Sequence, residues 1–115
     1  MLGMQMKRYA ANRVCNVADL TMYRNYVVEV EADTHAVVQL FALDGEMRHT
    51  EWRGGLILLC KELPVRNVEE TFADFIARLH EGMQHQQCSS LRAYHVTFFD
   101  VNSMEFTSDS RILML

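Results

Sequence analysis

Hydrophobic and polar positions alternate with a period of two along most of this chain, and lengthen to a helical period in one stretch only. From Tyr23 to Glu31, Tyr26, Val28 and Val30 fall on one side and Val27, Glu29 and Glu31 on the other, the pattern of a half-buried strand. Residues 6–15 form an earlier strand carrying Tyr9, Val14 and Cys15, set off by a polar break from Asn16 to Thr21. Ala32-Asp33-Thr34-His35 has turn chemistry, and Val37 to Leu43 is apolar on both sides except at Gln39. Asp44-Gly45 is the strongest hairpin signal, because a type I′ turn needs positive φ at both central residues. Met47 to Trp52 is therefore expected to return antiparallel to the strand before it. Gly54-Gly55 predicts a kink or bulge ahead of Leu56-Ile57-Leu58-Leu59, a strand apolar enough to be covered on both faces.

The helical stretch runs from Asn67 to Met83. Asn67 suits the cap, Glu70 can bond back to it, and Val68, Phe72, Phe75, Ile76, Leu79 and Met83 make one apolar stripe. Glu70, Asp74, Arg78 and Glu81 fall opposite, with Asp74 and Arg78 at pairing distance along the helix, and Gly82 suits a terminator. Beyond it, Tyr94, Val96 and Phe98 share one face of a strand and His95, Thr97 and Phe99 the other. Met104 to Phe106 and Ile112 to Leu115 are shorter strands, the last expected to dock beside an early one. The order gives a single domain over 1–115, with strands at about 6–60, a helix at about 67–83 and strands at about 92–115. The fold class is mainly β with one helix (α+β). A lone amphipathic helix cannot leave its stripe in water, so it must pack on the sheet, and a small β-sandwich with the helix laid on it is the expected architecture.

Composition narrows the functions. A chain of 115 residues, half of them hydrophobic and 23% charged, can build one real core without staples. The net charge of −4, with its 11 basic residues scattered, argues against a nucleic-acid partner, which calls for a basic stripe. Cys15, Cys60 and Cys88 are odd in number and lack a Cys-x-x-Cys spacing, so buried thiols are expected. No apolar segment follows Lys7 and Arg8, and Leu56 to Cys60 is too short to span a bilayer. A soluble, cytoplasmic protein with no membrane partner is the resulting expectation.

Arg8-Tyr9-Ala10-Ala11-Asn12 followed by Tyr26-Val27-Val28-Glu29-Val30 resembles the opening hairpin of metal-dependent amidohydrolases of the cytosine-deaminase and chlorohydrolase kind. Val37-Val38-Gln39-Leu40 and Gly54-Gly55-Leu56-Ile57 fit the same pattern. Tyr94 to Leu115 looks like the family's closing segment, with Asp100-Val101-Asn102 in place of its turn. In that family the stretch corresponding to Glu51–Leu59 leads into a catalytic barrel opened by His-x-His. Here it leads to Cys60-Lys61-Glu62-Leu63-Pro64 and one helix, and the chain contains no His-x-His. The resemblance implies a composite-domain-like β-sandwich whose barrel is replaced by the helix. The family's metal ligands, lysine and catalytic aspartate lie in the barrel, so none carries over.

Among candidate chemical groups, His49 and Glu51 share one face of a strand, which suits a metal ligand with an acceptor or an acid–base pair. A catalytic zinc site takes three protein ligands, and no third is evident. His80 and His85 are not at the i, i+4 spacing and read as solvated helix-end residues. His95 reads as a satisfied or exposed sheet residue. Cys88 near His85, and Ser89-Ser90, lack an orienting group or a nucleophile elbow. Trp52 is expected in the core, with a partner-anchoring surface role as the alternative. Phe41, Trp52 and Arg53 are the candidate partner-binding residues. The expected function is a non-catalytic module acting through self-association as a homodimer, or through a protein partner, with no cofactor. The alternative is a small-molecule or metal-binding module, conceivably a hydrolase-related enzyme, centred on His49 and Glu51.

Overall fold

The computed structural model describes residues 5–45, 49–84 and 90–115, with Gln84 described in its backbone only. The readings placed on Met47, His85, Cys88 and Ser89 lie outside the described residues. Among the described residues, seven strands and one helix follow in order: β1 (Met6–Asn16), β2 (Thr21–Glu31), β3 (Val37–Ala42), β4 (Thr50–Trp52), β5 (Leu56–Cys60), α1 (Phe72–Gln84), β6 (Arg92–Val96) and β7 (Ile112–Met114). The fold is mainly β with one helix packed on it, as the alternation predicts.

The strands join in one mixed sheet in the order β3-β2-β1-β5-β6-β7, with β4 also pairing with β1. The expected return of β4 against β3 is not what forms. Thr50–Trp52 runs parallel to Arg8–Ala10, on the side of β1 away from β2, instead of pairing back onto β3. The pairing sets Thr50, Glu51 and Trp52 against Arg8, Tyr9 and Ala10, a contact between segments far apart in the chain that a local turn signal does not encode.

The sheet curls until its ends meet in a sandwich-like arrangement. Val37 N–H donates to the Leu91 carbonyl at 2.8 Å, Ala36 bridges Arg92, and Leu115 N–H donates to the Ala93 carbonyl at 2.9 Å. His35 Nδ1 lies 2.9 Å from the Leu115 carbonyl. The final strand thus docks against β6, not beside an early strand. Inside the curl lies one core of Tyr9, Ala11, Val14, Val28, Val30, Ile57, Leu59, Ala93 and Leu115. A second core, on the opposite face, joins Cys15, Val17, Leu56, Leu58 and Cys60 to Phe72, Phe75, Ile76 and Met83 of the helix. β5 feeds both, and all five of its residues are buried, as its unbroken apolar run predicts.

The helix starts at Phe72, not Asn67. Glu70 does bond back to the Asn67 N–H at 3.0 Å, but with Glu69 at φ +59° the segment is a turn, and Val68 stands 94% exposed. The actual cap is Thr71, whose hydroxyl accepts from Asp74 N–H at 3.2 Å, while the Glu105 carboxylate accepts from Phe72 N–H at 2.7 Å. Both satisfy donors the first turn leaves open. Arg78 pairs with Glu70 at 2.8 Å rather than with Asp74, and holds the Glu70 carboxyl down at about 2. Gly82 lies within the helix and does not end it. His80 is half-buried, with Nδ1 2.8 Å from the Val17 carbonyl, so it ties helix to sheet and is not a solvated end residue. No helix among the described residues is long and apolar enough to cross a membrane.

Candidate functional site

β4 and β5 are two pieces of one broken strand lying along β1. The pairing of Ala10 with Trp52 and of Arg13 with Leu56 leaves one residue too many between them, taken up at Arg53-Gly54-Gly55. Gly54 and Gly55 adopt φ +67° and +58°, the left-handed region that favours glycine. Arg53 N–H donates to the Ala10 carbonyl at 2.8 Å, and Gly55 N–H to Asn12 Oδ1 at 2.8 Å. This is the bulge that the paired glycines predict, and bulges re-aim neighbouring side chains.

Two surfaces diverge from it. Glu51 pairs with Tyr9 and so shares its face, and two residues on the Arg53 guanidinium sits 5.3 Å above the Tyr9 ring. Its Nε is 2.5 Å from Glu51 Oε2. On the opposite face, register aligns Phe41, Val27, Ala10 and Trp52 in one cross-strand row. Ala10 and Val27 are buried yet belong to neither core cluster. Arg8 crosses this face with Nε 2.7 Å from the buried Glu29 carboxylate and its guanidinium 5.9 Å from the Phe41 ring centroid.

Trp52 is 53% exposed, which corrects the expectation of a core indole. A methyl at Gly54 would stand 3.4 Å from Trp52 Nε1, so the indole lies against the bulge backbone. The structure thus brings Phe41 and Trp52 onto one face and sends Arg53 to the other, beside Glu51. His49 and Glu51 line one open depression of about 700 Å³ with Met6, Lys7, Arg8, Tyr9, Thr50 and Arg53. There Glu51 is engaged by Arg53. Among the described residues no group of three or more His, Cys, Asp or Glu side chains gathers to hold a metal ion.

His95 is the residue sequence reasoning misplaced. It pairs with Ile57 of β5, is 8% exposed, and its Nδ1 has no hydrogen-bond partner among the described residues. Burial, then the Arg53 charge, lowers its pKa, opposed by the carbonyls of Gly54 and Arg53 and by Glu51. The available signal was its neighbour: a strand apolar on both faces forces the strand beside it indoors, histidine included. His95 borders a pocket of about 360 Å³ with Arg53, Gly55, Thr97, Phe98 and Phe99. The expected alternation stops at Val96, and Phe98 turns to φ +51°. It stands 74% exposed while Phe99 takes the buried position.

The described thiols offer little chemistry. Burial pushes Cys15 up to about 11 and Cys60 up to about 12, so neither carries an appreciable thiolate at neutral pH. Comparison of the chain with protein-family models, with curated proteins and with solved structures finds no match.

Proposed function

We propose that this domain is a non-catalytic module that works by association, in the first place with a second copy of itself, through the face formed by β3, β2, β1 and β4. The observation that carries the reading is Trp52, half exposed in one row with Phe41 over the buried Ala10 and Val27. Two aromatic side chains at the ends of that row, with Arg8 over the Phe41 ring, have the composition of interface anchors, and a two-fold contact lets the same patch meet itself. The edge of β3 favours the face over edge-to-edge pairing. Its register shifts around Val38, and such a bulge blunts a strand edge. The resemblance to a composite domain parted from its barrel points the same way, since that parting leaves a surface needing cover. Free Cys15 and Cys60 accord with a reducing cytoplasm.

Light scattering over a wide dilution series tests this. The expected result is a mass of two chains that falls toward one on dilution, with the F41A/W52A double variant monomeric at every concentration and unchanged in circular dichroism. A wild-type mass of one chain throughout, or a double variant that dimerises as well as wild type, overturns it.

A further inference from the structure

The opposite side of the bulge carries a separate feature that association does not use. The pocket there combines a guanidinium (Arg53), a buried imidazole whose Nδ1 has no partner among the described residues (His95) and two phenyl walls (Phe98, Phe99) around the bare backbone of Gly55, while the Thr97 hydroxyl beside them is taken up by the Arg111 backbone. We propose that it is a binding site for a small carboxylate bearing an aromatic or branched apolar group, with Arg53 holding the carboxylate and Phe98 and Phe99 flanking the apolar body.

Three observations meet there. The first is His95. Leaving a buried nitrogen unpaired carries its full desolvation penalty, and such orphans in folded proteins are few and call for an explanation. The second is backbone strain. Phe98 holds φ +51° next to a bulge with Gly54 and Gly55 both positive, and a bulky residue there is an outlier that persists where surrounding structure imposes it. The third is that Phe98 spends that strain on exposure, turning a large apolar ring outward at the pocket rim. The dimensions fit, since pockets of about 300–1,000 Å³ with apolar walls and few polar groups are the usual form of small-ligand sites. The guanidinium sets the ligand's sign. Glu51 meets its Nε, and a guanidinium is the group best suited to take a carboxylate. Glu51 is more than half exposed, and a solvated ion pair of this kind contributes little to stability.

Phenylacetate is the probe, and the ring nitrogens of His95 in the intact chain are the reporter, followed by heteronuclear NMR. Titration with millimolar phenylacetate is expected to shift the His95 ring signals saturably. Phenylacetamide, the same shape without the charge, is expected to bind at least about tenfold more weakly, as is phenylacetate to the R53Q variant. Arg53 and Phe98 are exposed, so R53Q and F98A are expected to keep the wild-type amide spectrum, and F98A to weaken binding without abolishing the charge preference. No saturable shift at His95 overturns the site. Equal binding of the amide, or wild-type affinity in R53Q, overturns the carboxylate assignment. Neither result bears on the Phe41–Trp52 face, which lies across the sheet.

Discussion

His95 shows how a single side chain links burial to solution behaviour. Its folded pKa lies below the ordinary 6.5, chiefly because burial disfavours the imidazolium. Above pH 6.5 the ring is neutral in both folded and unfolded chains and contributes no slope. As pH falls through 6.5 the unfolded chain takes up the proton first, so stability drops, by up to about 1.4 kcal/mol per pH unit for one group, until the folded pKa is reached. Chemical denaturation at pH 7.5 and 5.5 should therefore show a loss in wild type that is markedly smaller in H95Q. An unchanged pH slope in H95Q would assign the acid sensitivity to other groups. The histidine was present in the alternation from the start, between Tyr94 and Val96. What alternation could not reveal is that both faces of its strand are covered, because that depends on β5 lying alongside.

At the scale of elements, glycine placement separates the two conformations that matter. Gly55 sits at φ +58° with the Val96 carbonyl oxygen 3.3 Å from where a methyl would stand, whereas Gly82 is helical with open space around it. G55A is expected to lower stability by about 1–2 kcal/mol through left-handed strain, and G82A to raise it by about 0.5–1 kcal/mol by reducing backbone freedom. Thermal melts of the two variants check the pair, and a shift of the same sign in both would contradict the bulge or the helix assignment. The bulge was legible in the sequence because two adjacent glycines ahead of an apolar run leave few alternatives. The helix boundary was not. Asn67-Val68-Glu69-Glu70 satisfies the same local hydrogen-bond logic as a cap, and the Glu70 side chain makes the expected bond. The remote Glu105, 2.7 Å from Phe72 N–H, supplies the acceptor at the true start, and no local pattern discloses a residue so distant in sequence.

For the whole molecule, closure of the curled sheet depends on a small seam where Ala36, Val37, Leu91, Arg92, Ala93 and Leu115 meet. Leu115 is 8% exposed within the inner core, while Leu113, two residues earlier, is 52% exposed. L115A should cost about 2–4 kcal/mol in urea denaturation, as for other large-to-small changes in a core. L113A should stay within about 0.5 kcal/mol of wild type. Comparable losses in both would mean that the seam does not close as described.

The sequence by itself determined the period of each segment, and with it the strand-rich, single-helix class, the doubly covered β5, the glycine bulge and the buried stripe of Phe72, Phe75, Ile76 and Met83. These follow from side-chain polarity and backbone sterics acting over a few residues. Only the tertiary structure decided partners: that β4 lies parallel to β1, that Phe41 and Trp52 share a row while Arg53 faces away, that His95 is sealed beside Gly54. Those arrangements are settled by which apolar faces cover one another across the curled sheet. That is a property of pairs of segments far apart in the chain, and no local period encodes it.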